Sequence, residues 1–438
     1  MKKISQFLGS VYFIILINII TIIFWKLEKP LIAYFIYLFF AILIIVTNTK
    51  RIALSSIILS AIINFQGDND NYLNLHHMFA KMFIPLGLIL IALFIYDLIK
   101  RKITFKFDLI FFGYLGLLGV NLLSLINIRG EELLTVSILG VLQLLGYLLL
   151  YFYMYHSKDE DSKDYLSMVA LILGLAISVE LFIHYMEIGG VTGKVDHDLT
   201  WGVSNSIAMF YLVLIPIGLY SYLKNQDNFI ALLISGINFL IMLFMLSRGA
   251  YLTIVILIIP FVIFLFKYVN NKKIFIIDTL TAIVLCIIFG LVISLRFGLY
   301  DAFKEYITNI DFHNDSGRKE LYIIGIDLFK KYPIFGAGSY SGAYYLRDYS
   351  LGTYHNYIIQ TIATTGIVGL LALGYFIYAV IKKSIFKSKY NLLVLFSFLC
   401  VLIHGFVDNS FYNPIIMTTI TIILPLLDSQ ENVQNIEL

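Results

Sequence analysis

One histidine at the start of an apolar stretch is the residue of this sequence best suited to acid–base chemistry. His355 precedes Asn356 and a long apolar run. The free N–H groups and positive dipole end of a helix beginning there favour an anion and disfavour an imidazolium. A neutral histidine at this point could accept a proton. The alternative interpretation is an interfacial histidine that caps or hydrogen-bonds the start of the helix.

Arginines in the same part of the chain are candidates for binding phosphate. Arg248 stands in the tight turn Ser247-Arg248-Gly249, and Arg318 stands on a predicted surface helix. A guanidinium presents a planar fork of donors that suits phosphate oxygens. The structural alternatives are snorkelling to the lipid headgroups for Arg248 and a solvated helix face for Arg318. Arg296 and Arg347 are further candidates for contact with a substrate.

Tyrosines are dense just before His355, and Tyr340, Tyr345 and Tyr354 are candidates for stacking on sugar rings. The alternative is an aromatic belt at the membrane interface. The sequence has no Walker-type loop, Rossmann glycine motif or metal-binding Cys/His cluster. Its two cysteines, Cys286 and Cys400, fall inside apolar stretches and are expected to be packing residues. We therefore expect no cofactor, no metal and no nucleic-acid partner.

The composition indicates which elements position these residues. The chain is 60% hydrophobic and only 13% charged, against about 25% charged residues in ordinary soluble domains. Its apolar runs approach the roughly 20 residues needed to cross a bilayer. The sequence predicts a single integral membrane domain over residues 1–438, an all-α polytopic transmembrane helical bundle of about 12–14 spans. The predicted spans are 7–25, 31–48, 51–65, 82–99, 108–127, 133–155, 165–186, 203–223, 229–246, 249–268, 274–294, 355–381, 390–407 and 414–427.

Charges in the connections predict the orientation of the bundle. With the N-terminus inside, alternate connections carry most of the lysines and arginines, as the positive-inside rule requires. Both termini are therefore predicted to be cytoplasmic. The long polar loop over 296–354 falls outside, although it carries seven lysines and arginines. This concentration of positive charge indicates an anionic partner outside the membrane.

Within this extracytoplasmic loop, residues 317–332 read as an amphipathic helix. Leu321, Ile324 and Leu328 recur on one face, and Ser316 is a candidate cap. We expect the helix to lie along the membrane surface.

Several short motifs, taken in their order and spacing, resemble the O-antigen ligase and polymerase superfamily of bacterial membrane glycosyltransferases. The resemblance covers about residues 200–381. The motifs are Ser204-Asn205-Ser206-Ile207-Ala208 leading to Pro216, Ser247-Arg248-Gly249, Ser316-Gly317-Arg318, Tyr332-Pro333-Ile334-Phe335-Gly336-Ala337-Gly338, His355-Asn356-Tyr357 and Thr365-Gly366-Ile367-Val368-Gly369.

The resemblance implies a glycosyltransferase that uses a glycan on a polyprenyl diphosphate as donor at the outer face of the bacterial cytoplasmic membrane. His355 would correspond to the general base, and Arg248 and Arg318 to arginines that hold the donor's diphosphate. Asn356 of the His-Asn pair is a candidate substrate contact. The acceptor would be a glycan or lipid-linked glycan, and other polysaccharide-assembly proteins are candidate partners. The sequence departs from the family pattern in two places: Thr353-Tyr354 stands before the His-Asn pair, and an earlier outer loop offers Lys194 where many members have an arginine.

Two rival functions stay open at this point. A lipid-linked oligosaccharide flippase or secondary transporter would also be a many-span protein with cationic surfaces. A midplane transport site predicts ionisable groups near helix centres, whereas Glu180, His184, Glu187, His404 and Asp408 fall toward the predicted outer ends of their spans. The second rival function is that of a non-enzymatic membrane component of an envelope-assembly complex.

Overall fold

The computed structural model describes residues 1–65, 72–309, 317–347, 352–385 and 388–428, excepting the side chains of residues 72–84 and 86. Nineteen α-helices occupy these ranges. They are α1 Lys2–Leu8, α2 Val11–Lys26, α3 Pro30–Val46, α4 Leu54–Ile63, α5 Tyr72–Lys100, α6 Leu109–Ser124, α7 Glu131–Tyr155, α8 Ser162–Ile188, α9 Ser204–Gly218, α10 Tyr220–Lys224, α11 Phe229–Phe244, α12 Arg248–Tyr268, α13 Lys272–Phe297, α14 Leu299–Thr308, α15 Arg318–Lys331, α16 Gly342–Tyr345, α17 Tyr357–Ser384, α18 Lys389–His404 and α19 Pro414–Ile423.

The predicted all-α class is confirmed, because within the described ranges the only β pairing is an isolated bridge between Leu199 and Gly202. By length and composition, seven of the described helical segments could cross a membrane, and α1 with α2 would make an eighth if this pair, bent by 63°, is one span. The seven are Leu109–Asn127, Glu131–Tyr155, Ser162–Ile188, Ser204–Lys224, Arg248–Tyr268, Lys272–Phe297 and Tyr357–Ser384. The protein is therefore a multi-pass membrane protein.

Every predicted span coincides with a helix, although several of these helices are shorter than a bilayer requires. The shorter apolar helical segments are Pro30–Val46, Arg51–Ile63, Phe229–Phe244, Lys389–His404 and Pro414–Leu426. The predicted division between the spans 229–246 and 249–268 is confirmed, because α11 ends at Phe244 and α12 begins at Arg248. Ser247 fixes that start by accepting a hydrogen bond from the Ala250 N–H.

The connections that were predicted to be cytoplasmic lie together at one end of the bundle, where ion pairs join them. Lys50 pairs with Asp161, Lys163 with Asp428, Lys224 with Asp164 and Lys383 with Asp108. The predicted outer connections meet at the other end, where Lys26 pairs with Glu187 and Trp25 donates to Thr200 at 3.1 Å. The alternation of helix directions is thus as predicted, while the end that faces the cytoplasm stays a prediction.

The predicted outer loop is largely helical. Its amphipathic helix is confirmed as α15, which begins after Gly317 in a left-handed conformation with φ 76°. The proposed cap, Ser316, lies outside the described residues. A second helix, α14, was not predicted, although Leu299, Phe303 and Tyr306 recur at helical spacing.

The apolar face of α15 packs on the protein itself. Leu321 and Leu328 are buried with Tyr354 and with Ala363 of α17. Gly325 lets α17 approach closely, since a Cβ there would lie 2.5 Å from the Ile359 side chain. The apolar face of α15 is thus covered by Tyr354 and α17. That this helix lies along the membrane surface stays a prediction.

Helix α17 is broken at Gly366, and the segment after α15 fills the break. Gly366 has φ 66° and ψ −159°, which interrupts the helical hydrogen bonds around it. The Ala337 and Gly338 N–H groups donate to the carbonyls of Ala363 and Thr364, at 2.9 and 3.1 Å. In the other direction, the Ile367 N–H donates to the Pro333 carbonyl at 2.9 Å. The backbone groups freed by the break are thus satisfied by a neighbouring chain segment.

Glycine is required on both sides of this contact. A Cβ at Gly336, whose φ is 70°, would lie 2.2 Å from the Thr364 carbonyl carbon. A Cβ at Gly366 would lie 2.4 Å from the Ile334 carbonyl oxygen. The motif around Gly336 and the motif around Gly366 therefore contact each other. This contact fixes the part of α17 that precedes Gly366.

Candidate functional site

The start of α17 holds His355 in an unusual conformation. Asn356 caps this helix by accepting hydrogen bonds from the Ile358 and Ile359 N–H groups, at 2.9 and 3.1 Å. His355, one residue earlier, has φ 48°, in the left-handed region that non-glycine residues rarely occupy. Such strain persists only where the surroundings impose it, and it clusters at functional sites. Because Asn356 performs the capping, the His355 ring is not needed for it.

The ring is oriented by an aspartate from another helix connection. His355 Nδ1 lies 2.9 Å from Asp408 Oδ1, just beyond the end of α18, and both side chains are mostly buried, with 17% and 16% exposed. With Nδ1–H donating to the carboxylate, the neutral ring carries its lone pair on Nε2. Among the described residues, Nε2 has no hydrogen-bond partner. The pair therefore has the geometry of an oriented general base.

The Asp408 carboxylate is held by further donors. Its Oδ1 accepts a hydrogen bond from the Asn409 N–H at 2.7 Å, and its Oδ2 accepts one from Asn205 Nδ2 at 2.8 Å. Burial opposes ionisation, but the hydrogen bond and charge of His355, the charge of His404 and the Asn409 N–H outweigh it and hold the pKa of Asp408 well below its usual value. The carboxylate is therefore a fixed anion behind the histidine.

Lys194 joins the same network from the connection between α8 and α9. Its ammonium donates to Asn205 Oδ1 at 2.8 Å. Burial lowers the pKa of Lys194, Asp408 opposes that shift, and the charges of Arg248 and Arg318 lower it further. The charges of Lys194, Arg248 and Arg318 therefore act on one another, with the Asp408 carboxylate as the anion among them. The positive charge exceeds the negative charge in this group, so the arrangement suits an anionic ligand.

Both arginines stand in the first turn of a helix, Arg248 on α12 and Arg318 on α15. The Tyr306 hydroxyl on α14 lies beside the Arg248 guanidinium, and burial raises the pKa of Tyr306 while Arg248 and Arg318 oppose that shift. Asn205 also lies in a first helical turn, that of α9. Arg248, Arg318 and Asn205 thus each stand at the positive end of a helix dipole, a position that favours a nearby anion.

The remaining predicted site residues lie in different surroundings. Arg347 lies 3.5 Å from Glu132 and over the Tyr344 ring, and Arg296 lies over the Phe297 ring. These contacts are with residues outside the cluster around His355. A role in substrate binding for either arginine stays a prediction.

The three candidate tyrosines differ in their burial and in their contacts. Tyr340 donates to Gln143 Oε1 of α7 at 2.6 Å. Tyr345 is half-buried and meets Tyr344 edge to face. Tyr354 is fully buried against α15 and α17, a placement that favours packing. Their proposed stacking on sugars stays a prediction, as does a substrate contact for Asn356, whose Nδ2 donates to the Phe406 carbonyl at 3.0 Å.

Sequence reasoning did not assign roles to Asp408, Asn205 or Lys194. Asp408 was recognised as an ionisable group at the outer end of a span, and Asn205 as part of a motif. Nothing in the linear sequence pairs residues 355 and 408. Lys194 was noted only as a departure from the family pattern. In the structure it lies within electrostatic range of Arg248 and Arg318.

The arrangement combines a base with a preorganised cationic surface. His355 Nε2 can accept a proton from a hydroxyl, with Asp408 stabilising the imidazolium that forms. The arginines and Lys194 can stabilise negative charge that develops on a departing phosphate group.

Comparison with known families agrees with the resemblance seen in the motifs. The family model described as O-antigen ligase matches residues 229–374, a range that lies within the predicted region 200–381 and contains Arg248, Arg318 and His355. No curated protein matches the chain. The resemblance to the O-antigen ligase and polymerase superfamily is thereby confirmed over this part of the sequence.

Proposed function

We propose that this protein is a bacterial membrane glycosyltransferase that polymerises or ligates oligosaccharides carried on a polyprenyl diphosphate, at the outer face of the cytoplasmic membrane. The observation that carries the proposal is the His355–Asp408 pair, which Asn205 links to Lys194, within electrostatic range of Arg248 and Arg318. A base beside a cationic cluster provides both groups that such a transfer needs. The match to the O-antigen ligase family supports this class of reaction.

In the proposed reaction, His355 Nε2 removes the proton of an acceptor hydroxyl as the oxygen attacks the anomeric carbon of the donor glycan. The new bond joins that oxygen to the anomeric carbon. The bond broken joins the anomeric carbon to the diphosphate oxygen, and the electron pair leaves with the diphosphate. A single displacement of this kind inverts the anomeric centre.

Arg248, Arg318 and Lys194 stabilise the departing polyprenyl diphosphate, which carries more negative charge than it did as a glycosyl ester. Removing one such preorganised donor typically costs about 10²- to 10³-fold in rate. Because these side chains already supply positive charge, the proposed reaction needs no metal ion. The proton on His355 is returned to solvent before the next cycle.

Polymerisation is preferred over ligation to a lipid A core or a protein, since nothing in the chain indicates either of those acceptors. The acceptor would then be a second lipid-linked glycan, in the synthesis of an O-antigen, capsule or exopolysaccharide. The break in α17 does not by itself favour transport, because the backbone of residues 333–338 hydrogen-bonds to the groups that the break frees.

The test uses the purified protein in proteoliposomes with polyprenyl-diphosphate-linked repeat units, EDTA and no nucleotide. We expect longer or transferred glycans by gel electrophoresis and mass spectrometry, together with free polyprenyl diphosphate in matching amounts. His355→Ala should form none or very little of these products, and its control is His156→Gln, at the opposite end of the bundle. Movement of unaltered donor across the bilayer without any new glycosidic bond would instead identify a flippase, and no change of any kind would remove the enzymatic proposal.

A further inference from the structure

A buried histidine that the proposed reaction does not use lies beside the turn that carries Arg248. His404 is the last residue of α18 and is 1% exposed. Its Nδ1 atom hydrogen-bonds with Ser410 Oγ, whereas its buried Nε2 atom has no hydrogen-bond partner among the described residues. Leaving a buried polar atom unpaired is costly, so the position of this ring requires another reason.

The His404 ring occupies the space beside Gly249, the residue that follows Arg248. A Cβ atom at Gly249 would lie 2.8 Å from His404 Nε2 and 3.0 Å from Val407 Cγ2. The first of these distances is shorter than the contacts that side-chain atoms make in a packed interior. The first turn of α12 therefore packs directly on the ring, and a side chain at position 249 would displace either the ring or the start of α12.

This contact connects the two parts of the candidate site. Gly249 directly follows Arg248 on α12, and the Asp408 N–H donates to the His404 carbonyl at 3.0 Å. The Asp408 carboxylate in turn contacts His355. The packing of Gly249 on His404 therefore sets the separation between the arginine and the carboxylate that orients the base.

Helix α9 holds the same two parts through adjacent residues. Ser204 Oγ donates to the Met245 carbonyl, in the turn before α12. Asn205 Nδ2 donates to Asp408 Oδ2 at 2.8 Å. These bonds tie the turn and the aspartate to one helix, and the His404 ring fills the space between α12 and α18. The start of α12 is thus positioned by a hydrogen bond and by a packing contact.

We infer that His404 is a positioning residue, which holds Arg248 at a fixed place relative to Asp408 and does not itself contact the substrate. The inference rests on the proposed function and adds to it a residue beyond the range 229–374 that the O-antigen ligase model matches. Because Nε2 is buried, the ring acts through the turn that packs on it. Displacing a group at the reacting centre by about 1 Å can cost about 10²-fold in rate, so we expect this contact to affect catalysis.

The test compares Gly249→Ala with the wild type by steady-state kinetics with the lipid-linked donor. We expect kcat to fall about tenfold or more, with a smaller change in KM, because the methyl group displaces Arg248 from the leaving group. The matched control is Gly218→Ala, since a Cβ there would lie 2.7 Å from the Leu171 side chain. This position is about 20 Å along α9 from Asn205, and its kcat should stay at the wild-type value.

The same substitution is then made in two further proteins. His404→Ala leaves room for the methyl group, and Arg248→Ala lacks the side chain that the methyl group displaces. In each of these backgrounds Gly249→Ala should lower kcat by less than about threefold, since the effects of residues that act through one contact are not additive. An equal fall of kcat in all three backgrounds would show a merely structural effect and would overturn the inference.

Ser410→Ala tests the ring without crowding the turn. Loss of the Ser410 hydroxyl removes the hydrogen bond that orients His404. We expect kcat to fall about threefold in the wild-type background and to stay unchanged in Arg248→Ala. This variant decides the inference if Gly249→Ala does not fold, which thermal unfolding in detergent measures. The same fall of kcat in both backgrounds would contradict a role through Arg248.

A binding measurement does not depend on transfer of a glycan. Farnesyl diphosphate carries the same charged group as the polyprenyl diphosphate that leaves in the proposed reaction. Isothermal titration calorimetry gives its Kd, which should rise about tenfold in Gly249→Ala and stay at the wild-type value in Gly218→Ala. A wild-type Kd in Gly249→Ala would contradict the placement of Arg248 by the ring.

The outcomes separate the two levels of the account. If the wild type forms no glycosidic bond, the proposed function fails, and the Kd values alone decide whether His404 positions Arg248. If the wild type is active and Gly249→Ala has the same kcat and Kd, the positioning role fails while the transferase stands.

Discussion

The His355 Nδ1 atom lies 2.9 Å from the Asp408 Oδ1 atom, and this contact joins the start of α17 to the end of α18. If Nδ1–H donates to the carboxylate, the neutral ring has its lone pair on Nε2, as the proposed base requires. Fifty-three positions separate the two residues in the chain, so the fold alone brings them together.

Replacing the carboxylate by an amide should disable the base without dismantling the site. In Asp408→Asn we expect kcat to fall about 10²- to 10⁴-fold, the range typical of general-base catalysis, while KM for the donor changes little. Steady-state kinetics with the lipid-linked donor measures both parameters. The matched control is Asp301→Asn, at an exposed position on α14. If Asp408→Asn has the same kcat as this control, the His355–Asp408 contact does not contribute to general-base catalysis.

The arginine at the start of α12 should act chiefly on the leaving group. Arg248→Ala is expected to lower kcat about 10²- to 10³-fold, as when one preorganised donor is lost at a developing charge. Arg248→Lys should recover only part of this, because a lysine keeps the charge but loses the planar fork.

The matched control for Arg248→Ala is Arg129→Ala, an exposed arginine in the connection between α6 and α7. Quantifying released polyprenyl diphosphate over time gives the rate of each variant. Full activity in Arg248→Ala would remove this residue from the proposed mechanism.

Lys194 should set an upper pH limit for donor binding. Its pKa is lowered, first by burial and then by Arg248 and Arg318, against the opposing charge of Asp408. Raising the pH therefore discharges its ammonium earlier than that of an ordinary lysine, and KM for the donor should rise on the alkaline side. Lys194→Arg stays charged there and should move this alkaline rise to higher pH. KM measured from neutral to alkaline pH tests this, and superimposable profiles for the two proteins would contradict it.

The break in α17 should tolerate no side chain at Gly366. Alanine there would adopt a conformation that is essentially glycine-only, at a cost of about 1–3 kcal/mol, and its Cβ would also meet the Ile334 carbonyl. Gly366→Ala should therefore lower the thermal unfolding midpoint of the detergent-solubilised protein. Gly374→Ala is the control on the same helix, because a Cβ there has open space around it and should leave the midpoint nearly unchanged. Equal midpoints for the two variants would mean that the contact between residues 333–338 and α17 is not needed for stability.

Much of the fold could be predicted from sequence because hydropathy reports directly on helices that contact lipid. The helices at the predicted spans and their alternation were found in this way, and α15 was found from its amphipathic spacing. The helix α14 and the break at Gly366 were missed, since α14 is a short amphipathic helix and the break depends on backbone contact with residues 333–338. A local pattern does not reveal which segment supplies such hydrogen bonds.

The site was predicted unevenly for the same reason. His355, Arg248 and Arg318 stand in recognisable motifs at helix starts, where residue type and position already suggest chemistry. Asp408 contacts residues distant in sequence and Lys194 contacts Asn205 at the start of the next helix, and these contacts follow only from the packing of α9, α17 and α18. Tyr354 shows the opposite case, because its residue type suggested a sugar contact but its side chain is fully buried.

His355 is tested as the base by the single-turnover rate of glycosidic bond formation in the His355→Ala protein, with donor and acceptor both saturating. We expect this rate to fall about 10²- to 10⁴-fold relative to wild type, with donor still bound through Arg248, Arg318 and Lys194. A His355→Ala protein that forms the glycosidic bond at the wild-type rate would contradict the assignment of His355 as the base.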